Sequence, residues 1–240
     1  MHILTLQHAP VEHSGIFRRF LTEDGHSWDT VELDQGQALP DDLNGYDALW
    51  VLGGPMDVWQ EDAHPWLKAE KALIRKAVEE LGMPYLGLCL GHQLLAEALG
   101  GKVGKSANPE IGVCDVQLTE AGAEGVFLDG IPDTFPCLQW HGAEVSEMPA
   151  GAHCLATSPD CAVQAMSWGP RAYSLQFHVE IEPDTVANWA AIPEYATSLD
   201  AAMGTGGAAK FEQDCNAHMS AFNEMAERIY INWMQTSAQA

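Results

Sequence analysis

The chain is poor in positive charge. It carries 11 Lys and Arg against 34 Asp and Glu over 240 residues, a formal net charge of -23. Such a field repels phosphate backbones and anionic membrane surfaces, so neither nucleic acid nor membrane is expected as a partner. Long apolar runs are missing too: none approaches the roughly 20 residues of a membrane-spanning helix. The opening MHILTLQHAP has no basic segment followed by an apolar stretch. It predicts a first strand and not a secretion signal, and a cytoplasmic location. No two of the six cysteines are spaced C-x-x-C, which argues against a zinc ribbon or a thioredoxin-like pair. No G-x-x-x-x-G-K-[ST] phosphate loop occurs. No metal and no cofactor is expected, and in a reducing compartment each cysteine is by default a small buried hydrophobe.

What is present is a core-forming alternation of strands and helices. Hydrophobic residues make up 47% of the chain. HILTLQ (2–7), WDTVEL (28–33), YDALWVLGG (46–54) and MPYLGLC (83–89) read as strands. Helical periodicity runs over 14–25, 64–82 and 90–101, each segment ending on glycine. This alternation predicts an α/β fold with a mostly parallel central sheet covered on both faces. After about residue 102 short strands separated by turns predict an antiparallel extension, with AYSLQFHVE (172–180) as the last of them. From Pro183 the chain turns helical, with a break at 201–209, a long amphipathic helix over 210–234 and a frayed QTSAQA end. Residues 1–240 are read as a single domain, with 183–240 a helical C-terminal extension.

Against the default for cysteine stands Gly87-Leu88-Cys89-Leu90-Gly91, a G-x-C-x-G run between a predicted strand and a predicted helix. With serine this is a nucleophile elbow. The sharp turn lifts the side chain above the sheet, and the helix N-terminus favours thiolate over thiol. The N–H of Leu90 then lies where an oxyanion can be caught. In SLQFHVEIEP, strand alternation puts His178 and Glu180 on one face. A carboxylate beside an imidazole orients it and stabilises its cation. Gly53-Gly54 end a buried strand on the same sheet edge, which makes Gly54 N–H a second candidate oxyanion donor.

These pieces, G-G-P at 53–55, G-L-C-L-G-H-Q at 87–93 and Q-F-H-V-E at 176–180, resemble in that order the class I (triad) glutamine amidotransferases. The stand-alone relatives of the glutaminase domain of GMP synthase are the nearest likeness. The resemblance covers residues 1 to about 182 and implies the family's three-layer flavodoxin-like fold. It implies that Cys89 attacks the side-chain amide of glutamine, forming a γ-glutamyl thioester and releasing ammonia, with His178 as base and Glu180 as its orienter. Gly54 and Leu90 would bind the oxyanion, Gln93 the substrate, and the loop containing His141, Gly142 and Ala143 the amino-acid end of glutamine. A separate synthetase subunit would use the ammonia. The same triad suits a γ-glutamyl hydrolase or peptidase acting on another γ-glutamyl amide, and a silent family member would keep the fold alone. Val179 replaces the family's proline, and the S-G-G-x-D-S pyrophosphate loop of GMP synthase is absent. The helical extension exceeds what a minimal glutaminase domain needs; covering the site, binding a partner and supporting a homodimer are its three candidate roles.

Overall fold

A computed structural model describes residues 1–238. Its centre is a nine-stranded sheet of order β2-β1-β3-β4-β9-β8-β7-β5-β6. The strands β1 (His2–Gln7), β2 (Ser27–Glu32), β3 (Ala48–Val51), β4 (Tyr85–Leu88) and β9 (Ala172–Leu175) pair in parallel. Strands β5 (Lys102–Leu118), β6 (Thr134–Glu147), β7 (Ala152–Thr157) and β8 (Ala165–Trp168) add the antiparallel half.

The inner strands are apolar on both faces, and the pleat sorts their residues. Ala48 and Trp50 join one core with Leu86 and Leu88, whereas Leu49 and Val51 join a second with Tyr85. Helices α1 (Phe17–Glu23), α5 (Thr185–Ala190), α6 (Pro193–Met203) and α7 (Gly207–Ser237) cover the first face; α2 (Trp66–Arg75) and α3 (Leu90–Ala98) cover the second. A short α4 (Glu120–Glu124) caps the antiparallel half through Thr119, whose hydroxyl accepts from Gly122 N at 3.1 Å. The result is the three-layer α/β fold expected.

Three boundaries differ from the expectation. The helix over 64–82 narrows to α2 and ends in a wide π-type turn, where Leu81 N reaches Lys76 O at 3.0 Å. The run 172–180 is not one strand: β9 stops at Leu175, because its neighbour β4 stops at Leu88 in the same register row and offers no partner beyond. The end of the chain does not fray at 235–237, since Thr236 and Ser237 are buried in α7. The last two residues of QTSAQA lie outside the described residues.

Helix α7 is anchored by Trp233, wholly buried edge-on to Trp50 at 5.3 Å, with its indole Nε1 donating to Tyr85 O at 3.0 Å. Trp233→Ala removes both the ring and a buried donor. Urea unfolding is expected to show a loss of about 3–5 kcal/mol, and Trp233→Phe a smaller one. Helix α3 is tied to β9 by His92, whose Nδ1 is bonded to Ser174 Oγ at 2.9 Å. Burial, aided by His141, pushes this imidazole from 6.5 down to about 3. Unfolding returns it to its ordinary value, so between these limits the unfolded chain binds a proton that the folded chain does not. Stability should fall as pH drops through this window, by up to about 1.4 kcal/mol per unit from this group. Unfolding free energies at about pH 7 and about pH 5 measure it, and His92→Gln should flatten the dependence.

Candidate active site

Cys89 sits at the end of β4 as the residue before α3. Its φ of 49° is the only positive value at a non-glycine among the described residues. The strained turn is held from several sides. Cys89 N donates to Leu175 O at 2.7 Å, and Gly91 N to Leu52 O at 3.2 Å. The phenol of Tyr85 donates to Gly91 O at 2.7 Å. Any side chain at 91 would be impossible, because a Cβ there would lie 2.0 Å from Val51 O. The first turn of α3 therefore rests on the end of β3, which puts the cysteine and the glycine loop on one sheet edge.

His178 lies beyond the end of β9 and pairs with β6 alone: its N–H donates to Leu138 O at 2.9 Å. It lies outside any strand ladder, so strand alternation is not what joins it to Glu180. The local geometry does so directly, with Nδ1 bonded to Glu180 Oε1 at 2.6 Å and Val179 N donating to Glu180 Oε2 at 3.0 Å. Nε2 is left for Cys89, which lies near enough to act on the imidazole's pKa. Burial pushes the imidazole's pKa down, but the Glu180 charge, the nearby Cys89 and the bond to Glu180 outweigh it and hold it well above the ordinary value. Trp189 of α5 packs edge-on against the ring at 4.8 Å.

Several residues around these groups have no role in the sequence reading. Gln176 donates from Nε2 to Cys89 Sγ at 3.5 Å and accepts at Oε1 from Gln93 Nε2 at 3.0 Å. Glu12, in the loop after β1, is buried and bonded to the phenol of Tyr195. Burial raises its carboxyl above the usual range, although the His178 charge opposes this. His8 joins the Gly53 carbonyl, 2.9 Å from Nδ1, to the buried Glu70 carboxylate, 2.8 Å from Nε2. This clamp explains how the Gly53-Gly54 loop is held. Gly54 is as tightly hemmed in: a Cβ would lie within 2.8 Å of His8 and Leu90 atoms. Only Gln176 has a signal in the sequence, being part of the Q-F-H-V-E run.

A cavity of about 550 Å³ opens above the thiol, lined by Gly54, Cys89, Leu90, Gln93 and the His141-Gly142-Ala143 segment. Neither Gly54 N nor Leu90 N has a backbone acceptor among the described residues, so both amides are available at the cavity floor. His141-Gly142-Ala143 is not a loop but the middle of β6. It still has a free edge, because β6 is the last strand of the sheet and its other side is the one paired with β5. Gln93 spends its amide nitrogen on Gln176 and on Ala143 O, 3.2 Å away; a ligand contact from it has to use Oε1.

Behind that segment, Glu110, His141 and Cys161 bring potential metal-binding atoms within 4.8 Å of one another. The Glu110 carboxylate is already met by Ser158 at 2.7 Å, Gln164 at 2.6 Å and His141 at 3.1 Å. Burial pushes the Cys161 thiol up to about 12. The cluster reads as a hydrogen-bonded brace for His141.

The sequence model of class-I glutamine amidotransferases matches residues 16–188. The chain is 32% identical over 170 residues to the glutamine-hydrolyzing GMP synthase of Aeropyrum pernix, covering 71% of this chain and 31% of that protein. It is 30% identical over 189 residues to the glutamine amidotransferase-like protein YfeJ of Salmonella typhimurium, 78% of each chain being covered. A crystal structure of a glutamine amidotransferase from Thermotoga maritima superposes with a TM-score of 0.86 at 26% identity, over 100% of this chain and 99% of that one. The chain thus spans about a third of the GMP synthase and nearly all of the solved neighbour. With its fold, its matched region and these relatives in agreement, the chain belongs to the class-I glutamine amidotransferase family.

Proposed function

We propose that this protein hydrolyses the side-chain amide of glutamine through a thioester on Cys89. The observation that carries the reading is Cys89, on a cavity with two free backbone amides, next to a His178 bonded to Glu180 at 2.6 Å. Cys89 gives its proton to His178 Nε2 and attacks the amide carbon. The oxyanion is met by the N–H groups of Gly54 and Leu90, the latter aided by the α3 N-terminus. His178 returns the proton to the leaving nitrogen, ammonia departs, and water activated by the same imidazole releases glutamate. Glu180 holds the ring's tautomer and stabilises its cation. The free edge of β6 at His141-Gly142-Ala143 and the Oε1 of Gln93 hold the amino-acid end. A separate synthetase would receive the ammonia, in keeping with the one-third coverage of GMP synthase.

Glutamate release from glutamine by the purified chain tests the reading. Cys89→Ala and His178→Ala should each lower kcat by on the order of 10⁴ or more, with Glu180→Gln costing less, because orientation is partly redundant. Equal activity in all three variants would sink the triad. The pH profile supplies an independent check. Glu180 is what raises the His178 pKa against burial. Its neutralisation should therefore move the basic limb of kcat/KM, where the imidazolium is lost, to lower pH. An unmoved limb would separate Glu180 from the titrating group.

A further inference from the structure

The cavity exceeds what release of ammonia from glutamine requires, both in size and in charge. Its volume of about 550 Å³ falls in the range that buries a drug-sized ligand, whereas glutamine has only about ten non-hydrogen atoms. No Lys or Arg lines it; the carboxylates that do are Asp57 and Glu194. Lys105, on the β5 arm, acts on Asp57 from nearby, and His141 is bonded within its own brace. Glu194 lies next to Tyr195 closely enough for its charge to raise the phenol's pKa.

The surplus space has a direction. Cys89, Gly54 and Leu90 form the floor, and the β6 edge forms one wall. A second wall is α6, joined to β6 where the Trp140 indole donates to Ser198 Oγ at 3.0 Å; it contributes Glu194, Tyr195, Ser198, Ala201 and Ala202. These are positions i, i+1, i+4, i+7 and i+8, a single helical face. Tyr195 is bonded to Glu12, and Glu12 feels the His178 charge, so α6 stands on the histidine's side of the cavity. That is the side on which the leaving nitrogen takes up its proton. Small side chains at 201 and 202 leave room there, and Trp140 and Ile111 add apolar surface.

We propose that the site accepts γ-glutamyl amides whose amine is an alkyl diamine, the body lying along α6 and the distal ammonium facing the Glu194 and Asp57 carboxylates. This rests on the thioester reading of Cys89. The sulfur forms a bond to the γ-carbonyl carbon as the C–N bond breaks. The amine leaves with the proton held by His178. Water then adds to the thioester, its proton passing to His178, and the C–S bond breaks to free glutamate and the thiolate. One amide and one water give one glutamate and one amine, with no oxidant or reductant. A γ-glutamyl peptide would instead bring a carboxylate to two carboxylates, within a chain of net charge -23.

The test uses the purified full chain and four probes: glutamine, γ-glutamylputrescine, γ-glutamylbutylamide and γ-glutamyl-4-aminobutyrate. The last three differ mainly in the charge at the distal end. Glutamate release should give kcat/KM in the order cationic, neutral, anionic, with about tenfold or more between the ends of the series. The double variant Asp57→Asn, Glu194→Gln should bring the cationic-to-anionic ratio close to one. Equal rates for the three amides, an anionic preference, or turnover of glutamine alone would overturn the inference and leave the thioester reading standing. No glutamate from any of the four overturns the thioester reading, and this inference with it.

Discussion

The structure depends on one strained turn. A non-glycine residue at φ 49° costs on the order of 1–3 kcal/mol and persists only where its surroundings over-determine it. Here they do. The backbone at 89–91 is bonded to the ends of β3 and β9 and to the phenol of Tyr85 from β4, and glycine at 91 lets the helix touch β3. Three parallel strands therefore end where the turn begins. The thiol projects beyond the sheet, the α3 N-terminus points at it, and β9 has to release the chain at Leu175. That release is what frees His178 to cross to β6 and return over the cysteine.

Around this turn the molecule buries charge with care. An isolated buried carboxylate is expensive, and one that is paired and hydrogen-bonded is tolerable. Glu70 is matched to His8, Glu12 to the Tyr195 phenol, and Glu110 to His141, Ser158 and Gln164. Two of these pairs stand behind segments that face the cavity, the Gly53-Gly54 loop and the β6 edge, and the third joins the loop after β1 to the cavity wall at Tyr195. Such pairs contribute little net stability, yet they fix the segments they touch. A catalytic constellation needs that rigidity, since its dipoles must be in place before charge develops.

How much of this is legible in the sequence follows from how local each feature is. The apolar strands before Gly53 and Gly87 and the elbow at Cys89 are readable because a strand, a tight turn and a helix start are each encoded within a few residues. Strand alternation pairs His178 with Glu180 rightly, but for a wrong reason. They meet through a two-residue reach outside the sheet, because the ladder ends where β4 does. The β6 segment around His141 reads as a loop, since its partner, a seventeen-residue strand broken opposite Gly142, has no clear period in the sequence. Glu12, His8 and Glu70 give no signal. Buried polar residues look like surface residues until the chain places their partners, and Glu12 and Tyr195 are 183 positions apart.

The C-terminal helices bear on the site in the same non-local way. The matched family region ends at residue 188, one position before Trp189. Yet Trp189 packs on the His178 ring and donates to Val11 O at 3.2 Å. Tyr195 reaches Glu12, and Trp140 is enclosed by Trp189, Tyr195 and Phe211. Of the roles open to an added helical segment, covering the site is the one these contacts describe. They also divide the site by origin. Cys89 is placed by a local turn that the motif itself specifies. His178 is placed by β6, Glu180 and the ring of Trp189, which itself bonds to the first loop of the chain. The first part is therefore shared with any chain carrying the elbow, while α6 supplies the C-terminal helices' share of the cavity wall.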